Sequence, residues 1–228
     1  MRKHNRLNTG QGRNKMHQYD GAVKYLAHIT VAPKRRRILV RLGYQENMTI
    51  LDDDQSRFID QAMKQGLLLC QVKGAFGRFR IVRRSPSATA LENGSVFESA
   101  ALAKMLNASD EVVLMASTAG KEITDRISAE IDQGNPTLGV VFDAVASQAA
   151  DAGLDAIAVI LNTMLRKEGK RLLRRRFSPG YGDLSLHNQR TIFDLLSLER
   201  LSLKITETMM LVPEKSVLAI TGIEGIKS

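Results

Sequence analysis

The stretch RRRFSPGYGD, residues 174–183, sets three arginines against a Ser-Pro-Gly-Tyr-Gly turn. Pro179 fixes its own φ and removes an amide donor. It also drives Ser178 out of the helical region. Gly180 and Gly182 permit backbone angles and close approaches that a Cβ forbids, so Tyr181 carries a large ring on a tightly shaped backbone. Arg176 stands four residues before Gly180. A guanidinium, bare backbone amides and a phenol in one place suit a carboxylate and a flat heterocycle. The same spacing also reads as a strand-to-helix turn with a solvated basic flank. Spacing alone leaves both readings open.

Charge outward from this stretch is unevenly placed. Residues 166–176 carry seven Lys/Arg against Glu168 alone. Residues 1–41 carry eleven Lys/Arg against Asp20 alone, so the net charge of +9 leaves everything after residue 41 slightly acidic. Residues 1–20 lack apolar periodicity and read as a flexible basic tail, with residues 21–228 as one domain. Such a tail can reach nucleic acid, but no zinc-finger spacing, aromatic strip or recognition helix accompanies it. Nucleic acid is therefore not the expected partner.

An apolar fraction of 43% suffices for a core, and 5% aromatics with no Trp make that core aliphatic. The single cysteine, Cys70, excludes an intrachain disulfide and reads as a buried apolar thiol. That usage suits the cytoplasm. No run of about 18 apolar residues and no secretory h-region is evident, so no membrane association is expected.

Immediately upstream, Asn135-Pro136 opens the longest helix, which runs to about Arg166 and is rich in Ala and Gly at its middle. Its small side chains suit close packing. Asp151 and Asp155 share one of its faces, with Asp143 further up. Farther back, residues 110–117 have the make-up of a buried strand, and residues 121–133 return to helical spacing. Residues 95–98 read as a capping box that opens a helix to Asn107, after a loop at 85–94. Two β-like runs, LLLCQV and FRIVRR, fill residues 67–84. Asp52, Asp53 and Asp54 precede an amphipathic helix bearing Phe58, Ile59, Ala62 and Met63 and ending at Gly66. They read as its cap rather than as a metal triplet. Residues 34–42 form a short basic helix closed by Gly43, and Asp20 caps a helix through Ala27. Downstream, Ser185 caps a helix with Ile192, Leu195 and Leu196 on its apolar face. Strands follow at residues 201–205 and 217–221. Short strands among several helices make this an α+β domain.

Much chemistry is missing. His4, His17, His28 and His187 form no pair at ligand spacing, and there is no HExxH, CxxC or GxSxG. There is no Walker loop, and no GxGxxG follows a strand, so a Rossmann nucleotide site is unsupported. The DxHxxG motif by which many corrinoid carriers offer a histidine to cobalt is also lacking. No residue is assigned as catalytic, and none as a metal ligand.

Taken together, RFSPGYGD, the helix after it, ITET (205–208) and MLVPEKSV (210–217) resemble one family, the activation domain of cobalamin-dependent methionine synthase in a stand-alone form. The likeness extends in order over residues 34–224, through the helix ending Leu42-Gly43-Tyr44, the Thr118-Ala119-Gly120 strand end and the Ala-rich helix. The resemblance implies a C-shaped α+β domain with a twisted antiparallel sheet, not a Rossmann fold. It implies S-adenosylmethionine in a shallow groove, its methyl presented to cobalamin (vitamin B12) on a separate methionine synthase core or corrinoid protein. A flavodoxin-like or other donor supplies the electron for this reductive reactivation, a methyltransferase step serving methionine biosynthesis. The family's Arg-x-x-x-Gly-Tyr falls on Arg176, Gly180 and Tyr181. Arg176 would take the ligand carboxylate, the Ser178 backbone the adenine edge, and Pro179 would shape that backbone. Tyr181 would lie near the sulfonium or the corrin. Glu207 matches the family's Thr-Glu pair. The family's opening aspartate, which holds the ligand amino group, has no match here, which leaves Asp155 or Asp151 for that task. The alternative is a module that senses S-adenosylmethionine or scaffolds a corrinoid complex without turnover.

Overall fold

The strand expected at residues 110–117 is the centre of the architecture. In a computed structural model, which describes residues 23–45 and 48–226, β5 (Glu111–Thr118) is buried along almost its whole length. Val113 and Met115 point into one core, and Val112, Leu114 and Ala116 into another. This period-two split on an unbroken apolar run is what a strand covered on both faces requires. β5 pairs antiparallel with β2 (Lys73–Ser85) on one side and β9 (Ser216–Gly225) on the other. β3 (Ala88–Leu91) and β4 (Val96–Glu98) extend the sheet beyond β2, β1 (Lys24–Leu26) also pairs with β2, and β6 (Lys170–Leu172) pairs with β9. Every pairing is antiparallel, so no Rossmann crossover exists among the described residues. The sheet curls into a half-barrel.

The first core lies under α1 (Arg35–Arg41), α2 (Asp53–Leu69), α4 (Lys121–Asp132) and α5 (Pro136–Arg166). The second lies under α3 (Ala100–Met105), α6 (Asn188–Leu195) and a 3-10 turn, Leu198–Leu201. α5 is long and apolar enough to cross a membrane by length and composition alone, but 56% of its most apolar stretch is buried in the fold. Its small residues have a packing cause. A Cβ at Gly153 would collide with Ser117 of β5 and reach 3.0 Å from Val72.

The local cap signal at Asp52 is realised. The Asp52 side chain accepts from the Gln55 amide at 2.7 Å, and the Gln55 side chain reaches back to the Asp52 amide, a reciprocal capping box. Several expectations are corrected where pairing partners decide. Residues 67–69 continue α2 through Gly66 instead of forming a strand, because Phe142 and Val145 of α5 close on that face. A single strand, β2, replaces the shorter β-like run. Residues 85–94 hold β3 rather than a loop, because β3 pairs onto β2, and 96–98 are β4 rather than a helix start, because β4 pairs onto β3. The serine cap comes later, at Ser99, which accepts from the Leu102 amide at 2.9 Å. Ser185 accepts from the His187 amide, and the helix opens only at Asn188. Residues 201–205 give the 3-10 turn and then β7 (Lys204–Ile205), which pairs with β8 (Leu211–Val212). Lys24–Leu26 is a strand, not the expected helix; Asp20 and the basic tail lie outside the described residues.

Cys70 ends α2 and is half-buried, its thiol donating to the Gly66 carbonyl at 3.3 Å. Burial pushes the thiol up to about 12, so the thiolate that reacts is scarce at neutral pH. Iodoacetamide at pH 8 is expected to leave Cys70 unmodified in the folded protein and to alkylate it in urea, as read by mass spectrometry. Fast labelling without denaturant would contradict this packing.

On the α5 side of the sheet, Arg78 of β2 holds Glu111 of β5 at 2.9 Å and Glu168 at 2.7 Å, and Lys170 of β6 reaches Glu111 at 2.6 Å. Burial alone would raise the Glu111 carboxyl, but hydrogen bonds from Lys170 and Arg78 hold it below its usual range. The hydrogen bond from Arg78 does the same for Glu168. A carboxyl depressed on folding stabilises above its unfolded value, about 4.3, and loses that contribution as pH falls through the lower folded value. Glu111→Gln is therefore expected to lower the melting temperature at pH 7, with the gap to wild type closing below about pH 4. A gap independent of pH would exclude the ion-pair account.

Candidate functional site

The RRRFSPGYGD segment is fastened to the last strand of the sheet. Phe177 and Ile220 of β9 exchange both backbone hydrogen bonds, at 2.8 and 2.7 Å. The Thr221 hydroxyl donates to the Arg175 carbonyl at 2.9 Å. The turn then closes on itself: the Gly180 amide donates to the Leu184 carbonyl at 2.8 Å and the Tyr181 amide to the Ser178 carbonyl at 3.2 Å. Gly180 and Gly182 hold φ of +88° and +56°, the left-handed region that glycine tolerates. These bonds correct the expectation of bare amides, since the turn itself uses those of Gly180 and Tyr181. The Ser178 carbonyl keeps one lone pair. Asp183, at the end of the motif, accepts from the Ser99 hydroxyl and from the Ala100 amide at 2.6 Å, so it caps α3. The Ser99 hydroxyl first, then the Ala101 and Ala100 amides, hold its carboxyl below the usual range.

Beside this turn, β9 offers a bare edge. Ile220 turns its amide and carbonyl to Phe177, so Leu218, two residues earlier, presents its own pair on the same side. β6 covers β9 only at residues 223–225. Facing this edge, α5 carries Asp143, Asp151 and Asp155 on one stripe, each answered by a base from elsewhere. Lys215 reaches Asp143 at 2.5 Å and Arg41 reaches Asp151 at 2.8 Å. Asp155 receives Arg176 at 2.9 Å and Arg37 at 3.3 Å. Arg37 and Arg41 are four apart, as are Asp151 and Asp155. The crossed pairing means that α1 runs antiparallel to α5 here. All these pairs are partly solvated, and each contributes about 0–1 kcal/mol of stability.

The result is a groove of about 620 Å³ lined by Arg41, Asp151, Arg175, Arg176, Ser178, Pro179 and Tyr181, with Ser216 to Ala219 of β9 as its floor. A smaller hollow of about 300 Å³ adjoins it, lined by Lys34, Arg37, Gln148 and Asp155 among others. Another hollow of about 480 Å³, between Leu42, Tyr44, Phe58 and Val140, is mainly apolar, with Gln55 and Thr137 at its wall, and lacks a charged group to orient a polar ligand. The charged groove is the candidate site.

Of the residues singled out in the sequence, Arg176, Ser178, Pro179, Tyr181 and Asp151 line this groove. Gly180 shapes the turn without lining it, and Asp155 stands next to the groove, bound to Arg176. Glu207 lies apart, exposed in the link between β7 and β8. Sequence reasoning missed Arg37, Arg41 and Lys215. The i,i+4 arginines on the basic helix were the available signal, but nothing in sequence named their partners.

Sheet, helices and groove together define an α+β half-barrel with a charged cleft between its last strand and its longest helix. No family model and no curated protein matches this chain. Among solved structures it is similar to the crystal structure of the MetH reactivation domain bound to AdoHcy. Sequence identity is 14% and the TM-score 0.64, over 91% of this chain and 80% of that one. The likeness is one of fold.

Proposed function

We propose that this chain binds S-adenosylmethionine in the groove and supports reductive remethylation of cobalamin carried by a separate methionine synthase core or corrinoid protein. The observation that carries this reading is Arg176, held by Asp155 beside the Ser-Pro-Gly-Tyr turn, in a fold similar to a domain solved with AdoHcy. The fit is reasonable on size and charge. A groove of about 620 Å³ lies within the range of about 300–1,000 Å³ that takes a ligand of this class.

Arg176 binds the ligand carboxylate with the guanidinium donors that Asp155 leaves unused. The Ser178 carbonyl and the Leu218 edge bind the adenine and ribose side. Tyr181, 71% exposed, offers its ring to the sulfonium as a cation–π partner. During transfer the sulfur–methyl bond breaks and its electron pair stays on sulfur, leaving a neutral thioether. No proton moves, so no general base is needed. The protein's contribution is position and electrostatics, while cobalamin on the partner, with an electron from a flavodoxin-like or other donor, supplies the nucleophile.

Isothermal titration with S-adenosylmethionine is expected to give saturable heat; no heat would remove the reading. Mixing the protein with a cob(II)-loaded methionine synthase core and a reductant is expected to yield methylcobalamin, read by its absorbance. Binding without methylation would assign the chain to the sensing or scaffolding alternative.

A further inference from the structure

We propose that Arg41 is a specificity-determining residue of this groove, setting a preference for ligands that carry a carboxylate at the head-group end. The inference rests on the S-adenosylmethionine reading and concerns the part of the ligand that the Ser-Pro-Gly-Tyr turn does not touch.

The head-group end holds four guanidiniums, from Arg37, Arg41, Arg175 and Arg176, against two carboxylates, Asp151 and Asp155. Both oxygens of Asp155 are engaged, Oδ1 by Arg176 and Oδ2 by Arg37. Asp151 accepts at Oδ2 from Arg41 at 2.8 Å and from Gln148 at 3.4 Å. Among the described residues, its Oδ1 has no hydrogen bond. An incoming ammonium therefore meets one unclaimed carboxylate oxygen, in a neighbourhood of net positive charge. An incoming carboxylate meets the spare donors of Arg41, Arg175 and Arg176, each guanidinium having five N–H groups. Arg41 acts twice: it supplies donors directly, and it occupies the acid that an ammonium would seek. The groove recognises its ligand mainly by the carboxylate, and Arg41 enforces the difference. Were Arg41 only a stitch between α1 and α5, its loss would weaken all ligands alike.

The test titrates two probes, S-adenosylmethionine and decarboxylated S-adenosylmethionine, into wild type, Arg41→Gln and Arg41→Lys, with thermal melts as a folding check. Wild type is expected to favour S-adenosylmethionine by about tenfold or more, the value of one charge-assisted hydrogen bond. Arg41→Gln is expected to lose about tenfold for S-adenosylmethionine while holding or gaining affinity for the decarboxylated probe, so the ratio collapses. Arg41→Lys keeps the charge without the planar fork and is expected to retain part of the preference. Equal losses for both probes, or the same ratio in wild type and both variants, overturn the assignment. Wild type that binds neither probe overturns the underlying reading and this inference with it. Wild type that binds both equally overturns this inference alone.

Discussion

Replacing Phe142 by alanine is expected to destabilise the protein by about 3–5 kcal/mol. Phe142 is 1% exposed and lies where α5 meets α2. Its ring sets the approach of the two helices: a Cβ built at Gly66 would come within 3.0 Å of the Phe142 ring and 3.2 Å of Val145. The helices cannot close the void by moving, because α5 is bound across β5 at one side and to α4 at another. Urea denaturation with an unchanged m-value would report the loss. Phe58 is the control. It lies on α2 but is 41% exposed, and its truncation is expected to cost about 1 kcal/mol or less. Similar costs for the two would mean that Phe142 does not fill the space assigned to it.

Arg176→Ala is expected to weaken S-adenosylmethionine by about ten- to a hundredfold, the range for losing a charge-assisted, bidentate contact to a carboxylate. Two effects act together under the proposed binding mode. The guanidinium assigned to the ligand disappears, and Asp155 is left with Arg37 alone, which returns negative charge towards the ligand carboxylate. Arg176→Lys should recover only part of the loss, because a single ammonium cannot hold a carboxylate and Asp155 in one plane. Melting temperature should move little, since the pair is partly solvated. Isothermal titration reads the affinity and differential scanning calorimetry the melting temperature. Unaltered affinity in a folded Arg176→Ala protein would take the carboxylate out of this corner of the groove.

The elements legible in sequence are those governed by forces within a few residues. The apolar run of β5, the periodicities of α4 and α5, Pro136 at the start of α5 and the Asp52 cap all report the local chain. The misread elements depend on neighbours brought from elsewhere. Residues 67–69 look like a strand by composition, and helix wins because α2 runs on past Gly66, against which Phe142 and Val145 of α5 pack. Residues 88–91 and 96–98 become strands because β3 pairs onto β2 and β4 onto β3. The serine that caps α3 is four residues past the one that fitted the pattern, because residues 96–98 are consumed by the sheet.

The site divides in the same way. RRRFSPGYGD could be read from its own residues as a turn with Arg176 and Tyr181 at its ends, since proline and glycine restrict or free the backbone wherever they stand. Its use as a groove wall could not, because that depends on the Phe177–Ile220 bridge and on the open edge of β9 beside it. The amides that seemed available are spent inside the turn. Nor could sequence show that Asp151 and Asp155 answer Arg41, Arg37 and Arg176: Arg41 and Asp151 are 110 residues apart. Sequence by itself determined the residue types and their local geometry. Tertiary structure alone decided which charges meet, because an ion pair is set by distance in space and the partners come from α1, α5 and the segment after β6.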